Sequence, residues 1–232
     1  MAIKRYLAMT AAEIAGNPAL PSEIAWMACQ FSPYSTGLSN LPAALPQDSL
    51  LILNDFTPIQ GHDPSVVGAQ LRQCVDTLKC CGMLLDFQRP DVEETAELTA
   101  FLANALPCPV IVSEHYAKGL ECPVFLSPLP HHVPLSEYLA PWQGRDIWLD
   151  IAPDGETITL SEEKAAIAPL SPGELCEGGH LEEKLHCHYK AELMEDSARF
   201  TLWRTAEDLD ALLEDAEGLG VKAAVGLYQE IG

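Results

Sequence analysis

Seven apolar segments of strand length are spaced along the chain. They are apolar at successive positions and do not alternate with polar residues, which is typical of parallel strands buried on both faces under helices. The segments are residues 24–30, 50–56, 82–87, 109–113, 123–127, 147–151 and 221–228.

Amphipathic helices are predicted between several of these segments. Residues 65–80 carry an apolar stripe at helical spacing, and a second helix is predicted to begin with Asp91 as its N-cap. A third is predicted to begin at Thr205, with Asp208 completing a capping box, and to end at Gly220. Strand and helix alternating in this way predict an α/β fold with a parallel sheet.

The preferred architecture is a short, irregular (β/α)8 TIM-type barrel, forming a single domain over residues 1–232. An open doubly wound sheet is less favoured, because no glycine-rich nucleotide-binding motif follows any predicted strand. Residues 115–122 are too few for a full helix between their strands.

A β-rich insertion is predicted over residues 154–204, before the last helix and strand. It contains strand-like segments at 157–160, 185–193 and 200–203. The eighth barrel strand, missing from the seven segments, is expected within it, near residues 185–189.

The charge balance limits the possible partners. There are 34 acidic and 13 basic residues, a formal net charge of -21, which disfavours nucleic acid and anionic membrane surfaces. The acidic surface serves solubility or forms a cleft for a cationic ligand. No apolar stretch is long enough for a membrane span, and Glu13 interrupts any leader-like segment, so a cytoplasmic protein is expected. A protein partner is not specified by the sequence.

Neither a cofactor nor a metal is expected. Cysteine and histidine cluster late in the chain, but their spacing matches no standard zinc motif. The eight cysteines of the chain suit a reduced, structural role. The clustered residues are Cys176, His180, His186, Cys187 and His188.

Polar residues stand where the predicted strands end, and the carboxyl ends of barrel strands are where functional sites form. They are Asp55, Asp86, Gln88, Glu114, Ser127, Asp150, His188, Tyr228 and Glu230. Such a ring suits a polyhydroxylated or cationic ligand. The alternative is that each acid caps a helix or binds loop amides.

Residues 81–88, Cys-Gly-Met-Leu-Leu-Asp-Phe-Gln, resemble the strand motif of the family 18 glycoside hydrolases, D-G-[hydrophobic]-D-x-D-x-E. Gly82 matches the glycine of the motif, Asp86 its last aspartate and Phe87 the aromatic residue that commonly follows. Residues 220–228 are similar to the final strand of the family, with Tyr228 where the family has tryptophan. The resemblance implies a chitinase-like barrel.

The departures from the motif concern catalysis. Gln88 occupies the position of the catalytic glutamate, while Cys81 and Leu84 replace the two earlier aspartates. In the family that glutamate protonates the leaving oxygen, and an amide has no proton to donate at neutral pH. Because general acid catalysis contributes ~10²–10⁴-fold, the resemblance implies a barrel without chitinase-type activity.

Three functions therefore stay open. The first is a glycoside-hydrolase-like barrel that binds a carbohydrate through residues at its carboxyl face. The second is an active hydrolase that uses Asp86 with Glu114 or Glu230 as a relocated catalytic pair. The third is a non-catalytic interaction scaffold. The residues predicted to bind the ligand are Asp55, Phe56, Gln88, Tyr116, Tyr228 and Glu230.

Overall fold

A closed ring of eight parallel strands forms the body of the molecule, and the computed structural model describes residues 3–162, 164–171 and 178–232. The ring order is β1-β2-β4-β5-β6-β7-β8-β14, closed by the pairing of β1 with β14, while β3 pairs antiparallel to β2. The strands are β1 (Lys4–Met9), β2 (Ile24–Phe31), β3 (Leu38–Ser39), β4 (Leu50–Asn54), β5 (Gly82–Asp86), β6 (Val110–Ser113), β7 (Val124–Leu126), β8 (Ile147–Asp150) and β14 (Val221–Leu227). The predicted TIM-type barrel is confirmed, as are its seven apolar strands.

The eighth barrel strand is not where the sequence placed it. The prediction near residues 185–189 is wrong, because β1 at the beginning of the chain completes the ring between β2 and β14. Tyr6, Ala8 and Met9 of this strand are buried, whereas Lys4 and Arg5 are exposed. Because Lys4 and Arg5 interrupt its apolar sequence, this strand does not appear as a continuous apolar segment.

The helices are α1 (Ala11–Gly16), α2 (Pro64–Leu78), α3 (Glu93–Ala105), α4 (Leu135–Leu139), α5 (Ala206–Gly218) and α6 (Tyr228–Ile231), and a 3-10 turn at Ala140–Trp142 follows α4. The capping box of Thr205 and Asp208 at the start of α5 is confirmed. Asp91 is not an N-cap: Val92 holds that position, and Asp91 adopts a φ of 59°. Residues 114–123 lie wholly within the described chain and contain no helix, as their length predicted.

The β-rich insertion between β8 and α5 forms a separate antiparallel sheet of five strands, in the order β10-β9-β13-β12-β11. They are β9 (Gly155–Ser161), β10 (Ala165–Pro169), β11 (His180–Glu182), β12 (Cys187–Leu193) and β13 (Ser197–Trp203). The buried Arg204 connects this sheet to the barrel loops. Its guanidinium donates to the carbonyls of Leu129 and Pro130 on one side and of Leu185 and His186 on the other.

Alternate residues of each barrel strand point to opposite sides of the wall. The inward residues form one apolar cluster that includes Tyr6, Ile52, Leu84, Phe125 and Val225. The outward residues pack under the helices in a second, larger cluster. The same alternation determines which strand-end side chains enter the barrel mouth.

Within the described part of the chain, no helix is long and apolar enough to cross a membrane. The seven cysteines found there are free thiols, and Cys176 lies outside the described residues. Burial raises the pKa of Cys80 to about 12 and that of Cys108 to about 11. Such thiols keep their protons at neutral pH and are poor nucleophiles.

Candidate functional site

Two adjoining cavities open at the carboxyl ends of the barrel strands. The first has a volume of about 620 Å³, and the residues that line it include eight polar ones from β1, β2, β4 and β5 and the segments that follow them. These are Thr10, Gln30, Asn40, Asn54, Asp55, Asp86, Gln88 and Arg89, together with Met27, Ala28 and Phe56. The Phe56 ring is 82% exposed and available to a ligand.

The second cavity, about 350 Å³, extends into the barrel mouth. Its floor is the upper end of the inward apolar cluster, including Ile52, Leu84, Phe125 and Val225, and its rim carries four carboxylates. The rim acids are Asp86, Asp150, Asp154 and Glu230. Met27, Asn54 and Asp86 line both cavities, so the two form one continuous cleft.

Strand alternation explains why Asp86 and Asp150 enter this cleft. Leu84 and Trp148 belong to the inward cluster, and each lies two residues before one of these aspartates. Asp86 ends β5 and Asp150 ends β8, with β6 and β7 between them in the ring. The two carboxylates therefore approach the cleft from different sides of the mouth.

Asp55 has the opposite parity and a different role. Leu53 is an outward residue, so the side chain of Asp55 turns outward and is buried beneath the loop after β5. Its oxygens accept the backbone N–H groups of Gln88 at 3.1 Å and Arg89 at 3.0 Å. Asp55 thus fixes the position of that loop.

Gln88 lies beside Asp86, and its side-chain amide donates a hydrogen bond to the Asp86 carboxylate. Burial raises the pKa of Asp86, the hydrogen bond from Gln88 lowers it, and the nearby Asp55 raises it, with a net increase. Gln88 is exposed at the cleft. Gln88 can thus orient the Asp86 carboxylate, and as an amide it has no proton to donate at neutral pH.

The rim acids repel one another. Burial raises the pKa of Asp150 to about 7, and Asp86, Asp154 and Glu230 contribute further increases. Burial and Asp154 also raise the pKa of Glu230, which is more exposed. Asp150 was among the predicted polar strand-end residues but not among the predicted catalytic or ligand-binding residues, and Asp154 was not predicted at all.

Three other predicted residues lie away from the cavity linings. Glu114 follows the inward Ser113 and accepts the backbone N–H of Ser127 at 3.1 Å. Tyr116 is buried, packs edge-on against Phe87, and its hydroxyl donates to the Arg89 carbonyl. The hydroxyl of Tyr228 accepts a hydrogen bond of 2.9 Å from Asn17. Tyr116 supports the loop after β5, whereas Glu114 and Tyr228 make their contacts elsewhere.

The histidines of the late cluster serve separate contacts. His188 Nδ1 lies 2.8 Å from Asp208, and His186 Nε2 lies 3.2 Å from Asp215. Cys187 is buried with its thiol directed at the His131 carbonyl. Among the described residues, no three histidine, cysteine or acidic side chains are grouped to hold a metal ion, and Cys176 lies outside them.

No protein-family model matches this chain. No curated protein matches it either. Solved structures share its fold, with identities of 10% and 11% for the three described next.

A glycoside hydrolase family 18 N-acetylglucosaminidase from Paenibacillus barengoltzii has a TM-score of 0.62 at 11% identity, covering 98% of this chain and 95% of that chain. A mutant family 18 chitinase from Cycas revoluta, solved in complex with (GlcNAc)4, has a TM-score of 0.60 at 10% identity, covering 96% and 94%. The spore cortex-lytic enzyme SleL from Bacillus cereus has a TM-score of 0.60 at 10% identity, covering 100% and 71%. The fold of this chain is a family 18-like glycoside hydrolase barrel.

Proposed function

We propose that this protein binds an oligosaccharide of N-acetylated amino sugars in the cleft at the barrel mouth, without the proton donor that family 18 enzymes carry at residue 88. The continuous cleft itself carries the proposal. A non-catalytic scaffold would need no cavity at the mouth, whereas here about 620 Å³ and 350 Å³ of space adjoin there.

The lining suits a sugar chain. Gln30, Asn40, Asn54 and Gln88 offer amide donors and acceptors for hydroxyl and acetamido groups, and Phe56 offers an exposed ring for a sugar face. The family 18-like fold supports this class of ligand, since one solved structure of that fold contains (GlcNAc)4.

Five of the six predicted ligand-binding residues divide into two groups under this proposal, and Tyr228, whose hydroxyl accepts from Asn17, belongs to neither. Phe56, Gln88 and Glu230 line the cleft and contact the sugar directly. Asp55 and Tyr116 act behind it, because both hold the backbone of residues 88 and 89.

The test is isothermal titration of the full chain with (GlcNAc)4, using cellotetraose as the matched sugar without acetamido groups. Saturable binding of (GlcNAc)4 and much weaker binding of cellotetraose are expected. Phe56→Ala should weaken binding by about threefold to tenfold through loss of ring stacking.

Tyr34→Ala is the control variant. Tyr34 is 95% exposed and lies outside both cavity linings, so its removal should leave the dissociation constant unchanged. Absence of binding to (GlcNAc)4, or equal losses in the two variants, would contradict the proposal.

A further inference from the structure

The second cavity combines an apolar floor with four carboxylates on its rim, and the first cavity leads directly into it. A sugar chain bound along Phe56 and Gln88 reaches Asp86 and then the deeper space beside Asp150. Carboxylates from two different strands, Asp86 on β5 and Asp150 on β8, line this deeper space.

In the described ranges 3–162, 164–171 and 178–232, no lysine or arginine forms an ion pair with Asp86, Asp150 or Glu230. Like charges held close together in a partly buried site oppose one another's ionisation, which favours retention of a proton by one of them.

The groups around Asp150 indicate that Asp150 retains this proton. Asp86 faces it from β5, Asp154 from the segment after β8, Glu230 from α6 and the Tyr138 phenol from α4. Burial is the largest influence and raises the pKa of Asp150 to about 7. Burial and Asp154 also raise the pKa of Glu230, but its side chain is exposed, and solvent stabilises its ionised form more than that of Asp150.

Asp86 has a different environment. Burial and Asp55 raise the pKa of Asp86, but the Gln88 amide donates a hydrogen bond to its carboxylate, and this bond favours the ionised form. Two acids whose environments separate their protonation states can act as a proton donor and a proton acceptor. Gln88 then acts as a positioning residue for the acceptor.

Resting on the proposed sugar-binding function, we propose that Asp150 is the proton donor for hydrolysis of a glycosidic bond in this cleft, with Asp86 as the acceptor. The Asp150 carboxyl proton passes to the glycosidic oxygen as the bond from C1 to that oxygen breaks. Water forms the new bond to C1 and gives its proton to Asp86. The sum is addition of one water molecule across the bond, and proton return from Asp86 to Asp150 through solvent resets the site.

This assignment differs from the pairs predicted from sequence. Glu114 lines neither cavity and is engaged by the Ser127 backbone. Glu230 lines the second cavity but is exposed. Asp150 combines a place on the cavity rim with partial burial.

The experiment incubates the full chain with (GlcNAc)4 and measures products by mass spectrometry, alongside the dissociation constant for the same sugar. Wild type should release shorter sugars, with a rate that declines above about pH 7 as Asp150 ionises. Asp150→Asn should reduce the rate about 100-fold or more while changing the dissociation constant by less than about threefold. Thermal unfolding of each variant establishes that it is folded.

Asp146→Asn is the matched control, because Asp146 is exposed just before β8 and lines neither cavity. It should retain the wild-type rate and pH profile. Binding without cleavage by wild type would overturn this inference and leave the proposed function in place. Cleavage that survives in Asp150→Asn would overturn the role of Asp150, and absence of binding would overturn the proposed function itself.

Discussion

At the scale of single residues, strand parity separates the acids of the cleft from the acids that hold its walls. Asp86 and Asp150 share the inward face with Leu84 and Trp148, whereas Asp55 turns outward to bind loop amides. The sequence predicts polar residues at the strand ends. It does not predict their direction, because strands that are apolar on both faces carry no alternation to read.

Asp55→Asn should destabilise the fold by about 1–3 kcal/mol. Its side chain would keep one acceptor oxygen and present an N–H₂ group to a second backbone N–H, leaving that donor buried without a partner. Urea unfolding gives the free energy. Glu97→Gln, at an exposed site on α3, is the control and should change it by less than about 0.5 kcal/mol. Equal effects would contradict the role assigned to Asp55.

The raised pKa of Asp150 predicts a dependence of stability on pH. An unfolded aspartate ionises near pH 4, whereas Asp150 in the folded protein ionises near pH 7. Between these values the folded state binds more protons, so the contribution of Asp150 to stability is complete below about pH 4 and declines as pH rises towards 7.

The free energy of unfolding should therefore fall between pH 5 and pH 8 by about 2 kcal/mol less in Asp150→Asn than in wild type. Urea unfolding of both proteins at the two pH values measures the difference. Parallel pH dependences in the two proteins would show that Asp150 is not the group that titrates.

At the scale of elements, the sequence predicts those strands that bury their own apolar side chains. The seven barrel strands of the prediction are of this kind. Two of the strands that were not predicted depend on pairing with a neighbouring strand. β1 begins with two exposed cations and pairs with β14, and β10 is an exposed edge strand that ends in Pro169 and pairs with β9. The alternation within β1 is too short to distinguish it from the start of a loop.

Arg204 joins the insertion to the barrel, and its replacement tests this connection. Its guanidinium donates to four carbonyls, two from the loop after β7 and two from the insertion. Arg204→Ala removes these donors from one buried and three partly buried carbonyls and should destabilise the protein by about 3 kcal/mol or more. Limited proteolysis should also cut faster between residues 155 and 203.

Arg199→Ala is the control for this change, since Arg199 lies on the same strand, β13, and is exposed. Its melting temperature and proteolytic pattern should match those of wild type. If both variants behave alike, Arg204 does not join the insertion to the barrel.

At the scale of the whole molecule, the formal net charge of -21 acts against the compact state through self-repulsion. Raising sodium chloride from about 10 mM to about 200 mM at pH 8 screens charges beyond about 10 Å and should raise the melting temperature. At pH 4.5, close to the isoelectric point of about 4.5, the same addition should have little effect. Equal increases in melting temperature at the two pH values would show that net charge is not the cause.

The closure of the ring by β14 also has a consequence for biosynthesis. β14 pairs with β1 on one side and β8 on the other, and it is the last barrel strand to leave the ribosome. Between the synthesis of β8 and that of β14, both of those neighbours present open hydrogen-bonding edges to solvent or to chaperones. The nascent chain is therefore most prone to aggregate just before its final strand emerges, and a translational pause at that point would lengthen the exposure.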